Sequence, residues 1–245
     1  MNSEIRKRLI FALDVDSLEE ARRWVGLLHD KVGVFKVGKQ LFTRCGPEVV
    51  RMVNDQGGEV FLDLKYHDIP NTVAMAGIEA CRLGVKIFNV HALGGREMMS
   101  ETAKKAQEYC AAAGIPVPLR IAVTILTSSN DATLRDIGIE RPVAEMVPRL
   151  AKLTQEAGFD GVVASPREVG QIRAACGPEF KIITPGVRPA FASADDQKRI
   201  MTPGEAIRAG ADYLVIGRPI SAAAEPMRAA QLILDEISAA LEQRS

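Results

Sequence analysis

Eight short apolar runs alternate with segments that carry helix-start signals along the whole chain. Ser17-Leu18-Glu19-Glu20 has the pattern of a capping box, Pro70 suits a first helical position, and Thr202-Pro203-Gly204-Glu205 combines both features. This alternation predicts an α/β fold, and eight strands with eight helices favour a closed (β/α)8 TIM barrel over an open doubly wound sheet. The predicted strands lie near residues 9–14, 33–37, 59–64, 86–91, 119–124, 160–164, 181–184 and 212–216.

The length and composition of the chain are consistent with one domain. It has 245 residues, of which 47% are hydrophobic and 25% are charged. A single α/β barrel typically has about 250 residues. No low-complexity linker and no shift in composition marks a boundary, so we expect residues 1–245 to form one catalytic domain.

The charge balance and the cysteines exclude several classes of protein. The 31 basic and 31 acidic residues cancel, so no basic surface for nucleic acid or membrane is indicated. The four cysteines are too far apart in sequence for a zinc knuckle or a CxxC motif and suit reduced thiols. The apolar run 9–13 is too short for a signal peptide or a membrane span. We expect a cytoplasmic protein with neither nucleic acid nor membrane as a partner.

The third predicted strand carries charges on a face that should belong to the core. Side chains alternate along a strand, so Asp63 and Lys65 project to the same side as Phe61, and Asp68 follows at the strand's carboxyl end. Charges in such a position are unfavourable unless they are paired, which makes them candidates for function. Two other interpretations stay open: Asp63 and Lys65 can form a structural ion pair, and Asp68 can cap the helix near Pro70.

Polar residues follow nearly every predicted strand at the same end. In (β/α)8 barrels the active site lies at the carboxyl ends of the strands. The coincidence across independent strands carries more weight than any one residue, although Asp14, Lys36 and His91 each also fit a packing or surface role. The residues at these ends are Asp14, Lys36, Asp63, Lys65, Asp68, His91, Thr124, Thr127, Ser165, Arg188 and Arg218.

The last strand is followed by features of a phosphate site. Gly217 ends the strand and a helix is expected to begin at once, so its backbone N–H groups and the Arg218 guanidinium suit an anion. Arg188 lies in the segment 186–201, which has no apolar periodicity and is interpreted as a lid or, alternatively, as a surface insertion. A phosphorylated small molecule is therefore the expected substrate.

The charged residues suggest a reaction type without fixing it. Lys36, Asp63, Lys65 and Asp68 would form an array of alternating charge, and the sequence has neither a Cys/His ligand set nor a glycine-rich dinucleotide loop. Chemistry without a metal is therefore consistent with the sequence. An ammonium group in such an array can stabilise a developing carbanion and then protonate it, which fits decarboxylation.

The run Asp63-x-Lys65-x-x-Asp68-Ile69-Pro70-Asn71-Thr72 resembles the signature of the orotidine 5′-phosphate decarboxylase family. The resemblance extends over the whole chain, because further segments follow in the family's order. They are Phe11-Ala12-Leu13-Asp14, Phe35-Lys36-Val37-Gly38, Asn89-Val90-His91, Val123-Thr124-Ile125-Leu126-Thr127-Ser128, Thr184-Pro185-Gly186-Val187-Arg188, Asp195-Asp196-Gln197 and Ile216-Gly217-Arg218-Pro219.

The resemblance implies conversion of orotidine 5′-monophosphate to uridine 5′-monophosphate and CO2, the last step of de novo pyrimidine synthesis, without a cofactor. Lys65 would stabilise and protonate the C6 carbanion, and Asp63 would lie against the substrate carboxylate. The other implied site residues are Lys36 and Asp14 at the ribose, Thr127 or Ser128 at the pyrimidine edge, Pro185 in the base pocket, Arg188, Gly217 and Arg218 at the phosphate, and Gln197 bridging phosphate and base.

The resemblance also implies a homodimer of the free-standing bacterial type, in which Asp68 and Thr72 reach into the partner's active site. Two alternatives stay open. The related sugar-phosphate branch, such as 3-keto-L-gulonate 6-phosphate decarboxylase, shares an Asp-x-Lys-x-x-Asp array but uses magnesium. A non-catalytic barrel would only sense a nucleotide phosphate, although four partly buried charges argue against it.

Overall fold

A computed structural model describes residues 3–191 and 201–243. Eight parallel strands pair in chain order, and the first pairs with the last, so the sheet is a closed barrel. Each strand begins and ends within two residues of its predicted run, which confirms the barrel prediction. The strands are β1 Leu9–Ala12, β2 Val34–Gly38, β3 Glu59–Tyr66, β4 Ile87–His91, β5 Leu119–Val123, β6 Gly161–Val163, β7 Lys181–Pro185 and β8 Tyr213–Ile216.

Helices surround the barrel, and the predicted helix starts are found. Ser17 Oγ accepts from the Glu20 N–H at 3.1 Å, Pro70 is in the first turn of its helix, and Thr202 and Glu205 form a capping box. The helices are α1 Ser3–Lys7, α2 Leu18–Leu28, α3 Lys39–Cys45, α4 Glu48–Asp55, α5 Pro70–Arg82, α6 Gly95–Ala113, α7 Asp131–Asp136, α8 Val143–Glu156, α9 Val169–Cys176, α10 Pro203–Ala209, α11 Arg218–Ser221 and α12 Pro226–Glu242. None of these is long and apolar enough to cross a membrane.

The prediction of eight helices was wrong, because several crossovers contain two. Between β2 and β3 the chain forms α3 and α4, which are separated at Gly46 and Pro47. Gly46 has a φ of 61°, a left-handed conformation that ends a helix, and Pro47 is the N-cap of the next one. A short α1 also precedes the first strand and lies outside the strand–helix alternation.

The core has two layers, on the inside and the outside of the barrel. Alternate strand residues point outward and pack under the helices, as Phe11 does against Trp24 with ring centroids 5.5 Å apart. The residues between them point inward and close the barrel interior with apolar side chains. This interior plug consists of Ile10, Val34, Phe61, Ile87, Ile121 and Ile183, all essentially inaccessible to solvent. The next inward positions toward the carboxyl ends are polar on β2, β3 and β4, where they are Lys36, Asp63 and Asn89, and apolar on the strands across the barrel.

Strand β3 is irregular where those polar positions begin. Its register against β4 shifts between Leu62 and Tyr66. Among the residues that the structure describes, Lys65 is the non-glycine residue with a positive φ, 54°. A left-handed conformation is unfavourable for a side chain of this kind and occurs where the surroundings enforce it, often at functional sites.

Candidate active site

Four charged side chains form a continuous chain at the carboxyl end of the barrel. Lys65 Nζ lies 2.6 Å from Asp63 Oδ1, and Lys36 Nζ lies 3.6 Å from Asp63 Oδ2 and 3.1 Å from Asp14 Oδ1. Asp63 and Lys36 are each only 12% exposed, whereas Asp14 is 67% exposed. Strands β2 and β3 and the segment after β1 therefore bring together four of the predicted site residues, with charges that alternate in sign.

Asn89 is hydrogen-bonded to this array, although it is uncharged and the charge pattern of the sequence did not single it out. It is fully buried in β4, its Nδ2 donates to Asp63 Oδ1 at 2.7 Å, and its Oδ1 accepts from the Lys65 backbone N–H at 2.8 Å. In the sequence it appeared only as part of the segment Asn89-Val90-His91. The available signal was a polar residue at an inward position of a buried strand.

A cavity of about 220 Å³ lies against the charged chain. One wall is charged and the facing wall is apolar, which suits a flat ring that carries a charged group on one edge. Thr127 is among its lining residues, and Ser128, the alternative for the pyrimidine edge, is not. The lining residues are Lys36, Phe61, Asp63, Lys65, Val123, Ile125, Leu126, Thr127, Val163, Pro185 and Val215.

A second cavity, of about 320 Å³, shares Lys36 and Pro185 with the first. Arg188, Gly217 and Arg218 line it, so two arginines and a glycine border a space that continues from the first cavity. A Cβ atom on Gly217 would lie 3.2 Å from Ala12 Cβ, tighter than most contacts of that kind, so the glycine leaves room there. The combined space therefore has one half with a charged and an apolar wall, and a second half bordered by two arginines.

The helix predicted after β8 begins as expected, at Arg218, but α11 has only four residues. So short a helix carries little macrodipole. Anion binding in this cavity would therefore depend mainly on the guanidinium groups. The chain resumes helical structure only at Pro226, where α12 begins.

The predicted lid between β7 and α10 is described only at its ends. The Arg188 backbone N–H donates to Met201 O at 3.1 Å, so the two ends of the segment are held together beside the second cavity. Gln197, predicted to bridge phosphate and base, lies outside the described residues, as do Asp195 and Asp196.

Asp68 and Thr72 do not join the other site residues. Both are exposed, and neither is among the residues that line the two cavities. The Ile69 N–H donates to Asp68 Oδ1 at 2.7 Å. The alternative interpretation of Asp68 as the N-cap of α5 is wrong, because Ile69 occupies that position and the helix has no side-chain cap bond.

His91 lies at the carboxyl end of β4 without lining either cavity. Its ring centroid is 5.5 Å from that of His67. Burial, with smaller contributions from His67, Lys39 and Lys65, lowers the pKa of His91 to about 4. A histidine with so low a pKa is neutral at pH 7, so it adds no charge to the array.

Two other polar residues at strand ends have structural roles. Thr124 is fully buried and its hydroxyl donates to Val163 O at 3.2 Å, which ties β5 to β6. Ser165 forms a capping box with Glu168 at a 3₁₀ turn, in which the Ser165 N–H donates to Glu168 Oε2 at 2.8 Å. Both therefore support the barrel rim.

The family model described as "Orotidine 5'-phosphate decarboxylase / HUMPS family" matches residues 7–233. The chain belongs to this family. It is 68% identical over 240 residues to an orotidine 5′-phosphate decarboxylase of Syntrophotalea carbinolica, with 98% of each chain covered. A relative of the same name from Pelobacter propionicus is 64% identical over 96% of this chain and 97% of its own length.

Solved structures in the family have the same fold. The orotidine 5′-phosphate decarboxylase of Lactobacillus acidophilus matches with a TM-score of 0.81 and 37% identity, over 94% of this chain and 99% of its own. The enzyme of that name from Pyrococcus horikoshii OT3 gives a TM-score of 0.75 at 27% identity, with the same coverage. The recognition made from the strand-three signature is thus confirmed.

Proposed function

We propose that this protein decarboxylates orotidine 5′-monophosphate to uridine 5′-monophosphate and CO2, without metal or cofactor, as the last step of de novo pyrimidine synthesis. The observation that carries the proposal is the ion pair of Lys65 Nζ and Asp63 Oδ1, 2.6 Å apart. The pair lines a cavity whose facing wall is apolar, and the chain belongs to the orotidine 5′-phosphate decarboxylase family. The relatives at 60–68% identity are named orotidine 5′-phosphate decarboxylase, which favours the nucleotide branch of the family over the sugar-phosphate branch.

The charged wall supports a specific sequence of bond changes. The substrate carboxylate would lie against Asp63, where repulsion raises the energy of the ground state and disappears as neutral CO2 leaves. The C6–carboxyl bond breaks and its electron pair stays on C6. The Lys65 ammonium stabilises this carbanion and transfers one proton to it, and the resulting amine regains a proton from water. Lys36 holds Asp63 from the other side.

The two cavities support a division of the nucleotide into two parts. The pyrimidine ring would occupy the smaller cavity, between the Lys65 side and Pro185, with Thr127 at its edge. Lys36, which lines both cavities, and Asp14, which lines the larger one, would bind the ribose hydroxyl groups. Arg188, Gly217 and Arg218 would hold the phosphate in the larger cavity. Gln197 would bridge phosphate and base from the predicted lid.

The position of Asp68 and Thr72 supports a homodimer with shared active sites. Both are exposed and line neither cavity of their own subunit, which is compatible with a contribution to a partner's site. Ile69 and Met75, on the same segment, are 66% and 44% exposed, and an interface there would cover this apolar surface. We therefore propose that Asp68 extends the charged array of the partner subunit.

The cysteines support a location in the cytoplasm. Cys81, Cys110 and Cys176 are buried free thiols, and burial raises the pKa of Cys81 to about 12. Such a thiol is unreactive, and cysteines that remain free suit a reducing compartment.

The deciding experiment mixes EDTA-treated protein with orotidine 5′-monophosphate and follows the pyrimidine absorbance. We expect loss of the orotate chromophore and formation of uridine 5′-monophosphate at a rate that added magnesium does not change. Activity on a sugar phosphate that requires magnesium would instead place the protein in the sister branch. Tight binding of uridine 5′-monophosphate without any turnover would show a nucleotide-binding barrel and defeat the proposal.

A further inference from the structure

We propose that Asn89 is a positioning residue for the decarboxylation: one buried amide holds both the backbone of Lys65 and the carboxylate of Asp63. The inference rests on the proposed function, because it assigns Asn89 a task in that reaction. Asn89 is not among the lining residues of either described cavity, so it would act through Lys65 and Asp63 without touching substrate.

The amide of Asn89 has only one possible orientation. A carboxylate can only accept and a backbone N–H can only donate, so Nδ2 must face Asp63 and Oδ1 must face the Lys65 N–H. The distances are 2.7 and 2.8 Å, and the side chain is fully buried. Because Asn89 stands directly above the plug residue Ile87 in β4, its position is fixed by the packed interior of the barrel.

The bond to Lys65 supports the unusual backbone of the proton donor. Lys65 has a φ of 54°, and the register of β3 against β4 shifts at this point, so its N–H is not part of the regular ladder. A buried N–H without a partner would be unfavourable, and here the side chain of β4 provides the acceptor that its backbone does not. Asn89 therefore stabilises the conformation from which Lys65 reaches into the cavity.

The bond to Asp63 sets the rotation of the carboxylate. Asn89 Nδ2 and Lys65 Nζ both bind Oδ1, at 2.7 and 2.6 Å, which leaves Oδ2 on the side of Lys36, at 3.6 Å. Without Asn89 the carboxylate would be held by flexible ammonium groups alone. The same amide thus fixes, relative to each other, the carboxylate that would face the substrate carboxyl group and the ammonium group that would protonate C6.

Two substitutions separate these effects. Asn89→Leu removes both hydrogen bonds at similar volume, and Asn89→Asp keeps an acceptor for the Lys65 N–H but loses the donor to Asp63. A displacement of about 1 Å in a catalytic group can lower the rate about 100-fold. We expect kcat to fall about 100-fold or more in Asn89→Leu, with affinity for uridine 5′-monophosphate changed less than about threefold, because the phosphate and ribose contacts are untouched.

The pH profile of Asn89→Asp gives a signature that lost stability would not produce. Protonation restores an O–H donor toward Asp63, and at a pH above its pKa the protonated fraction of a carboxyl group rises about tenfold for each unit by which the pH is lowered. The ratio of its kcat to that of wild type should therefore rise on acidification, whereas the ratio for Asn89→Leu should stay flat. Asp63 and Lys65 on β3, Lys36 on β2 and His91 on β4 surround this position in all three proteins, and the carboxyl group introduced in Asn89→Asp titrates as a pair with the adjacent Asp63.

Thr102→Val is the matched control. Thr102 is fully buried, and its hydroxyl donates to Met98 O within α6, away from the site, so its loss should leave kcat unchanged. Wild-type activity is measured first, because absent turnover would defeat the proposed function and not the positioning role. With an active wild type, a near-normal kcat in Asn89→Leu would overturn the inference. If that variant does not fold, a pH-independent ratio in Asn89→Asp would do so.

Discussion

Lys65 Nζ lies 2.6 Å from Asp63 Oδ1, at the end of a strand whose preceding inward residue is the buried Phe61. The apolar plug thus ends where the ion pair begins, and the pair borders the cavity instead of solvent. Lys65 is 25% exposed and Asp63 12%. Two charges so placed are expected to act on a bound molecule, since a purely structural pair gains little in such a position.

Replacing Lys65 should therefore affect the reaction and not the binding. Lys65→Ala removes the proton donor, and loss of a general acid lowers rates by about 10²–10⁴-fold. Because the same ammonium stabilises the carbanion, we expect kcat to fall by at least the upper part of that range. Affinity for uridine 5′-monophosphate, measured by calorimetry, should change little. Near-normal turnover in this variant would rule out the mechanism.

Lys86→Ala is the control for that experiment. Lys86 lies at the opposite, amino-terminal end of the strands and pairs with Glu59 at 3.2 Å. The Lys86–Glu59 pair resembles the Lys65–Asp63 pair in chemistry. It is more exposed, however, and neither of its residues lines the two cavities of the site. Its removal should leave both kcat and nucleotide affinity within about twofold of wild type, as is usual for an exposed pair.

Arg218→Ala should weaken binding of the phosphate group. A hydrogen bond to a charged group contributes about 1.5–3 kcal/mol, which corresponds to a loss in affinity of about 10–100-fold. The loss should appear for uridine 5′-monophosphate and not for uridine, which has no phosphate. Arg208→Ala is the control, because Arg208 is an exposed residue of α10 that bonds Gln243. Equal losses for nucleotide and nucleoside would show that Arg218 does not bind the phosphate.

Local patterns predicted the barrel and much of the site. Strand positions follow from short apolar runs, and the inward faces of parallel strands must meet at one end, so Asp14, Lys36 and Asp63 were predictable together. The left-handed backbone of Lys65 was not, since it arises from the register between β3 and β4, which depends on both strands at once. The role of Asn89 was missed for the same reason: a polar residue at an inward strand position marks a candidate, but its two partners follow only from the register of β3 against β4.

The length of α11 was another feature that the sequence pattern did not determine. Arg218-Pro219 marks a helix start, but a start signal carries no information on where the helix ends. The position of Asp68 was likewise ambiguous. Its spacing from Lys65 is the same whether it faces its own cavity or that of a partner, and only the path of the chain from β3 into α5 decides this.

Mixed dimers test whether Asp68 acts across subunits. Lys65→Ala and Asp68→Ala should each be inactive alone. In a heterodimer of the two, one site combines an intact Lys65 from one subunit with an intact Asp68 from the other. Random mixing makes half of the dimers heterodimers, so about a quarter of the wild-type activity should return in a symmetric assembly.

The control for the mixed dimers combines two variants whose substituted residues both line the cavity of one subunit. Lys65→Ala mixed with Asp63→Ala should recover no activity. Both residues belong to the cavity of one subunit, so every cavity in this mixture lacks one of them. Recovery in the Lys65–Asp68 mixture alone would therefore identify Asp68 as the residue donated in trans. No recovery there, in a mixture that sedimentation shows to be dimeric, would contradict shared active sites.

The protonation of His91 should make the fold sensitive to acid. Its pKa is lowered from 6.5 to about 4 in the folded protein, chiefly by burial, while His67, Lys39 and Lys65 add positive charge around it and Asp63 opposes them. The unfolded chain therefore binds a proton between these two values when the folded protein does not. Proton uptake by the unfolded chain favours unfolding. The stability that the neutral His91 contributes is therefore fully present above about pH 6.5 and is lost as the pH falls toward 4.

His91→Gln removes this titration while keeping a polar side chain of similar length. Between pH 7 and 4, the free energy of unfolding from urea titrations should fall less in His91→Gln than in wild type. His29→Gln is the matched control, because His29 is an exposed residue at the end of α2 and its replacement should leave the pH dependence as in wild type. Parallel curves for wild type and His91→Gln would show that His91 takes up its proton as readily in the folded protein as in the unfolded chain.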